Sequence, residues 1–155
     1  MSIDWTRALM TLKVKPWNEL SRKEINDIFS LRSEVFIVEQ ECAYQDVDGN
    51  DEKADHVLLH VNNELVGYAR VFSKNTYFKE ASFGRAVVKK KDRGEGYGHL
   101  IVDKSLEHLK SKKQSPIKIS AQSYLKDFYS SHGFFAKGDE YMEDGIPHTA
   151  MYLDL

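Results

Sequence analysis

A single cysteine, Cys42, occurs in the 155 residues, so no disulfide can close within the chain. The cytoplasm, a reducing compartment, is the expected location. No His or Asn signature surrounds Cys42, which reads as a small side chain in a loop or at a core edge rather than as a nucleophile. The opening MSIDWTRALM lacks a basic stretch followed by an apolar one, so neither a signal peptide nor a membrane span is expected. Long basic runs are missing too; Lys89-Lys90-Lys91 reads as a solvated loop, and the formal net charge is -2, which argues against a nucleic-acid partner. No repeat, low-complexity tract or linker divides the sequence. What remains is 41% apolar and 30% charged residues, enough for one globular domain over residues 1–155.

Periodicity orders the elements. Thr6–Lys13 reads as a first strand. Ser21 and Glu24 form a capping-box pattern, and apolar residues at helical spacing follow, predicting a helix over Arg22–Glu39. Ala43–Asp55 is acidic and turn-rich and reads as a loop. Strands are predicted at His56–Val61 and Leu65–Phe72, joined by an Asn62-Asn63 turn, and at Ala81–Val88. A helix over Gly98–Lys112, a strand over Ile117–Gln122, a helix over Tyr124–His132 stopped by Gly133, and strands at Phe135–Met142 and His148–Leu153 complete the order. This is an α+β (mixed α/β) pattern.

The stretch RGEGYGHL, Arg93–Leu100, joins a strand to a helix through three glycines. Unpaired N–H groups and the helix dipole make such a turn an anion site suited to phosphate, and glycines let the backbone approach closely. Arg93 adds a charged donor. Without an anion, the same stretch is a structural turn. It lacks the Gly-Lys-Ser/Thr end of a P-loop, and His99 stands where a dinucleotide fingerprint needs its third glycine. Two metal readings are weak. Counting from Asp46, a calcium loop needs Gly at its sixth and Glu at its twelfth position, which is Val57, and the histidines are scattered without zinc spacing. No metal is expected.

Arg93-x-x-Gly96-x-Gly98 after Ala86-Val87-Val88, followed by Phe128-Tyr129-Ser130-Ser131-His132-Gly133-Phe134, resembles the acyl-CoA-dependent N-acyltransferases of the GNAT superfamily. Leu31–Gln40, Tyr44–Asp51, Phe83–Val88, Ala121-Gln122 and Glu143–His148 resemble its ElaA-type members. The resemblance implies a splayed mixed sheet of six or seven strands with about four helices. It implies acetyl-CoA as co-substrate, held by Ala86, Val87, Val88, Arg93, Gly94, Glu95, Gly96, Tyr97, Gly98, His99, Gln122, Phe128 and Tyr129. An N–H near Val87 or Val88 would polarise the thioester carbonyl.

The implied reaction is direct attack of a neutral amine on the thioester, needing a base for the amine and an acid for the leaving sulfur. Tyr129 is the candidate acid. For the base, Glu39, His148, Glu34 and a water chain stay open. Arg32, Glu34 and Arg85 are candidate acceptor contacts; the two arginines would equally well pair with Glu34, Asp46 or Asp48 inside the fold. The acceptor is an unidentified primary amine of a small molecule or peptide, and the state a monomer or homodimer. The competing class is an acyl-CoA-binding or sensor module without turnover.

Overall fold

The computed structural model describes residues 9–155. Thr6–Ala8 of the first expected strand lie outside that range; β1 runs over Met10–Pro16. The capping box is formed as the sequence predicts: Ser21 Oγ accepts from Glu24 N (3.0 Å) and Glu24 Oε1 accepts from Ser21 N (2.8 Å). The helix that follows has two windings. α1 covers Arg22–Arg32, and Ser33–Glu39 widens into π-helical turns, where Gln40 N–H reaches Val35 O (3.2 Å) and Cys42 N–H reaches Ile37 O (3.1 Å). The β-branched Val35, Ile37 and Val38 crowd an ordinary α-turn. Wide turns of this kind gather at functional sites.

β2 (Asp55–Val61), β3 (Glu64–Phe72) and β4 (Ser82–Val88) extend β1 into an antiparallel sheet of order β1-β2-β3-β4. Asn62 and Asn63 turn the β2–β3 hairpin with φ of 51 and 66°, the type I′ geometry that matches strand twist. Helices cover both faces, so the middle of β2 (residues 57–59) and most of β3 are apolar and buried. Leu58, Tyr68 and Val87 pack against Ile28, Leu31 and Val35 of the first helix. Val57, Leu59, Val66 and Val71 pack against Ile101, Val102 and Leu109 of α2 (Tyr97–Ser111). Each such aliphatic burial contributes about 1.5–3 kcal/mol. At Gly67 a Cβ would lie 3.2 Å from Ile101 Cδ1, so glycine sets how closely α2 approaches β3.

A second antiparallel sheet comprises β5 (Ile117–Gln122), β6 (Phe135–Ala136), β7 (Tyr141–Glu143) and β8 (Ile146–Leu153), with β8 central. The expected strand at Phe135–Met142 divides because the chain turns at Gly138, φ 87°; this raises the count to eight strands among the described residues. α3 is confined to Lys126–Ser130, shorter than the expected Tyr124–His132, and Gly133 closes it at φ 95°. The sheets touch at one end. Ala81 bridges Ile117 in parallel, with Lys118 N–H on Ala81 O (2.8 Å) and Ala81 N–H on Pro116 O (3.1 Å). Beyond that bridge no ladder joins β4 to β5 among the described residues, and the two strands part, as the resemblance implies.

Candidate active site

A cavity of about 600 Å³ fills the gap between the parting strands. The glycine turn closes one end, and Phe72, Tyr77 and Phe78 close the other. Gly94 and Gly96 adopt φ of 87 and 80°, a region other residues reach only at a cost. Gly96 caps α2 with no side-chain hydrogen bond, and the first backbone bond into its carbonyl comes from Leu100 (3.3 Å). The N–H groups of Tyr97, Gly98 and His99 are the orphan donors of the first turn. All three residues line the cavity, with Gly94 and Gly96; Glu95 is exposed at the crest of the turn and does not. Gly98 has a packing role as well: its Cβ would lie 3.4 Å from the Phe128 ring, and that ring supports the turn from α3.

Arg93 and Glu39, separate candidates in the sequence, form one pair. Arg93 Nη1 and Nη2 donate to Glu39 Oε2 (2.6 Å) and Oε1 (2.9 Å), and its Nε donates to Val88 O (3.0 Å). The guanidinium hydrogen bonds hold the Glu39 carboxyl below its ordinary range, with burial opposing weakly. A carboxylate with both oxygens bridged to arginine is a poor proton acceptor. The geometry therefore argues against Glu39 as the base and gives it the task of orienting Arg93.

The edge of β4 is specific as to which residues face the cavity. Lys89 N–H donates to Val66 O (2.7 Å), so Lys89 and Val87 turn toward β3. Val88 and Ala86, alternating with them, turn their N–H and C=O groups toward β5. Of the two oxyanion candidates, Val88 is the one whose N–H faces the gap. Lower down the strand, Tyr68 pairs with Val87 but Arg70 pairs with Gly84. Arg85 and Ala86 thus stand against one residue of β3, a bulge, with Arg85 at φ 49°.

Tyr129 points into the cavity from α3 and is 7% exposed. Burial pushes its hydroxyl up to about 12, reinforced by nearby Tyr124, so it stays protonated at neutral pH. Its ring packs on Phe83 and Phe134. His148 lines the cavity from β8, but both ring nitrogens face acceptors: Nδ1 the Ile146 carbonyl (2.7 Å) and Nε2 the Glu143 carboxylate (3.1 Å). Gln122 exchanges paired amide hydrogen bonds of 3.2 and 3.3 Å with Gln40 across the gap.

The acceptor candidates divide. Arg32 is fully buried. Its Nε meets Asp46 Oδ2 (2.9 Å), its Nη1 meets Asp51 Oδ1 (2.6 Å) and its Nη2 donates to Asp46 O (3.0 Å). Each of its three guanidinium nitrogens is engaged within the fold, so Arg32 is a structural ion rather than an acceptor contact. Glu34 is exposed, lies 3.9 Å from Lys89 Nζ and does not line the cavity. Arg85 lines it while pairing with Asp46 Oδ1 (2.8 Å). The acidic loop is the partner of these arginines; no group of three or more metal-type side chains gathers among the described residues.

Sequence reasoning missed Arg70, Tyr44, Tyr77 and Tyr124, which also line the cavity. Arg70 was the detectable one, a charge inside the otherwise apolar stretch of residues 65–72. Its Nη1 and Nη2 hold Asp48 (2.8 and 2.7 Å) and Nη1 also reaches Asp51 (3.1 Å).

A helix start with orphan N–H donors, a strand edge left open by splaying and a buried phenol across the gap are the features of an acyl-CoA-type transferase fold, and comparison with known proteins agrees. Residues 18–155 match the family model described as an acetyltransferase (GNAT) domain, and the chain belongs to that family. It is 40% identical to protein ElaA of Escherichia coli over 86% of this chain and 90% of that one. It is 41% identical to a UPF0039 protein of Schizosaccharomyces pombe over 91% and 95%. The crystal structure of Escherichia coli ElaA superposes with a TM-score of 0.86 at 35% identity, covering 93% of this chain and 99% of that one. An acyl-CoA N-acyltransferase from Pseudomonas aeruginosa also gives 0.86, at 32% identity, covering 92% and 98%. No helix among the described residues is long and apolar enough to cross a membrane.

Proposed function

We propose that this chain is a single cytoplasmic N-acetyltransferase domain, monomeric or dimeric, that moves an acetyl group from acetyl-CoA to a primary amine. The observation that carries this reading is the continuity of one cavity from the unpaired N–H groups of α2 to the hydroxyl of Tyr129, along the free edge of β4. Those N–H groups suit a pyrophosphate. The edge at Ala86 and Val88 suits an extended pantetheine arm, added like a further strand. Acetyl-CoA supplies the activated thioester; the amine nitrogen bonds to the acyl carbon and the carbon–sulfur bond breaks.

In this reading Val88 N–H faces the carbonyl oxygen as charge develops on it. Tyr129 donates its proton to the departing sulfur. The amine proton leaves by water or by His148, once the contact of His148 with Glu143 or Ile146 opens. Holding both substrates in one narrow gap supplies much of the rate. Gln122 and Phe128 position the arm and the turn, and Arg85 meets the acceptor.

One observation favours the competing reading, a binding module without turnover: neither Glu39 nor His148 has an unengaged basic atom. Thiol release from acetyl-CoA across a panel of primary amines separates the two. Turnover above the rate of hydrolysis supports the transferase; tight acetyl-CoA binding with no turnover on any amine supports the module.

A further inference from the structure

Beside the glycine turn, two imidazoles and a carboxylate form a chain that the reaction above does not use. His99, third residue of α2, places Nδ1 2.8 Å from His132 Nε2 at the end of α3. His132 Nδ1 lies 3.1 Å from Asp103 Oδ1, one turn further along α2. The Phe128 ring packs on both imidazoles, at 4.8 and 5.3 Å between centroids. Among the described residues no other charged side chain pairs with either ring, and His99 Nε2 has no hydrogen-bond partner. His99 itself lines the cavity, where the phosphate donors of α2 begin.

The hydrogen-bond logic of this chain is restrictive. Asp103 accepts, so His132 Nδ1 carries a proton. With both rings neutral, His132 Nε2 must accept and His99 Nδ1 must donate, which leaves His99 Nε2 as a bare lone pair. One added proton can rest on His99, making Nε2 a donor directly. Alternatively it rests on His132, whose Nε2 then donates to His99 Nδ1 and moves the His99 proton to Nε2. Both arrangements give the same outward result: His99 Nε2 becomes an N–H donor. A lone pair repels a phosphate oxygen and an N–H binds it.

We propose that the Asp103–His132–His99 chain is a proton-coupled receptor for the cofactor's pyrophosphate, taking up one proton as the anion binds. The inference rests on the acyl-CoA reading and adds a recognition device to it. Histidine changes charge between about pH 5 and 8, so cofactor affinity is expected to rise as pH falls through that range. The phosphate monoester of CoA, absent from dephospho-CoA, takes up a proton near the same pH, so the signal is the difference between proteins.

The test is calorimetric titration of the full chain with CoA and with dephospho-CoA, in buffers of different ionisation enthalpy, which counts protons taken up. His99→Asn and His99→Gln are compared with wild type. Both residues keep an exposed polar side chain, so folding is not at issue. The expected result is an uptake larger in wild type by about a quarter to a half of a proton at its maximum, with either ligand. Affinity is expected to fall roughly three- to tenfold in the variants near pH 6 and to change less than twofold above pH 8. Asp103→Asn should lose part of the same uptake. Binding of CoA with equal proton uptake in wild type and variants overturns the proposal alone. Failure of every protein to bind CoA overturns the acyl-CoA reading with it.

Discussion

β4 separates two regions built from the same kinds of residue and put to opposite use. On its α1 side, Arg32, Arg70 and Arg85 meet Asp46, Asp48 and Asp51 in a largely buried network with matched charges, whose Arg70 and Arg85 reach the cavity wall. Around the edge facing β5, Arg93, Glu39, His99 and His148 stand at a cavity with some donors and acceptors held in reserve. In the first region every charge is neutralised by a neighbour in the fold, because isolated ions in such a place would cost several kcal/mol each. In the second, orphan backbone N–H groups are tolerated because water or an anion reaches them. A charged residue's role is thus decided by what already engages it, and not by its type.

The strongest test of the closed region is Arg32→Met. Removing Arg32 leaves Asp46 to Arg85 and Asp51 to Arg70, with one buried negative charge in excess, and chemical denaturation should show a loss of about 3–5 kcal/mol. The open region should respond in function and not in folding. Tyr129→Phe is expected to slow turnover about 10²-fold, with unfolding free energy moved by less than about 1 kcal/mol, since the hydroxyl has no hydrogen-bond partner among the described residues. A stability loss with unchanged turnover would remove the acid role. Gly96→Asp, measured by acetyl-CoA titration, combines a strained φ with a negative charge at the helix start. It should weaken binding roughly tenfold to a hundredfold.

A pH series separates the regions more gently. His56 lies in the closed one, with Nε2 on Asp51 O (2.9 Å) and Nδ1 on Tyr68 Oη (2.6 Å). Burial lowers its pKa from the ordinary 6.5, only partly opposed by Asp51. Its folded value is the depressed one, so its contribution is present above pH 6.5 and lost as pH falls below. Thermal melts should show a decline no steeper than about 1.4 kcal/mol per pH unit for this one proton, absent in His56→Gln. Glu24, lowered to about 2 as Ser21 N–H and Lys15 outweigh burial, adds a later loss below its ordinary 4.5. The smallest effect is expected for Arg85→Gly. Glycine relieves the left-handed φ but gives up a part-exposed ion pair, and denaturation should find a net change within about 1 kcal/mol.

Much of the fold was legible because it follows from local rules. The capping box, the Asn62-Asn63 turn and the αL stop at Gly133 each depend on residues within a few positions. The π-helical turns and the division of the strand at Gly138 were not legible, since a β-branched run or a lone glycine fits several outcomes. The glycine turn and Tyr129 could be placed because short motifs carry them. The roles of Arg32 and Glu39 could not. Their partners lie 14 to 19 and 54 residues away, and no spacing rule connects an arginine on a helix to an aspartate in a distant loop. His132 and Asp103 were invisible as a chain for the same reason, His99 and His132 being 33 positions apart.

The bulge in β4 behaves as an inserted letter. Phe83 packs with the α2 core, Val87 with the α1 core, and Ala86 again with the α2 side, so the strand is in step on either side of one surplus position. A chain lacking residue 85 would keep every other side chain of β4 on its present face, and the layers would still close. The insertion is therefore not needed to stack the sheet; its effect is to bend the strand's outline at the point where it turns away from its neighbour. Length variation at this single position would reshape the gap while leaving the core's sequence pattern unaltered.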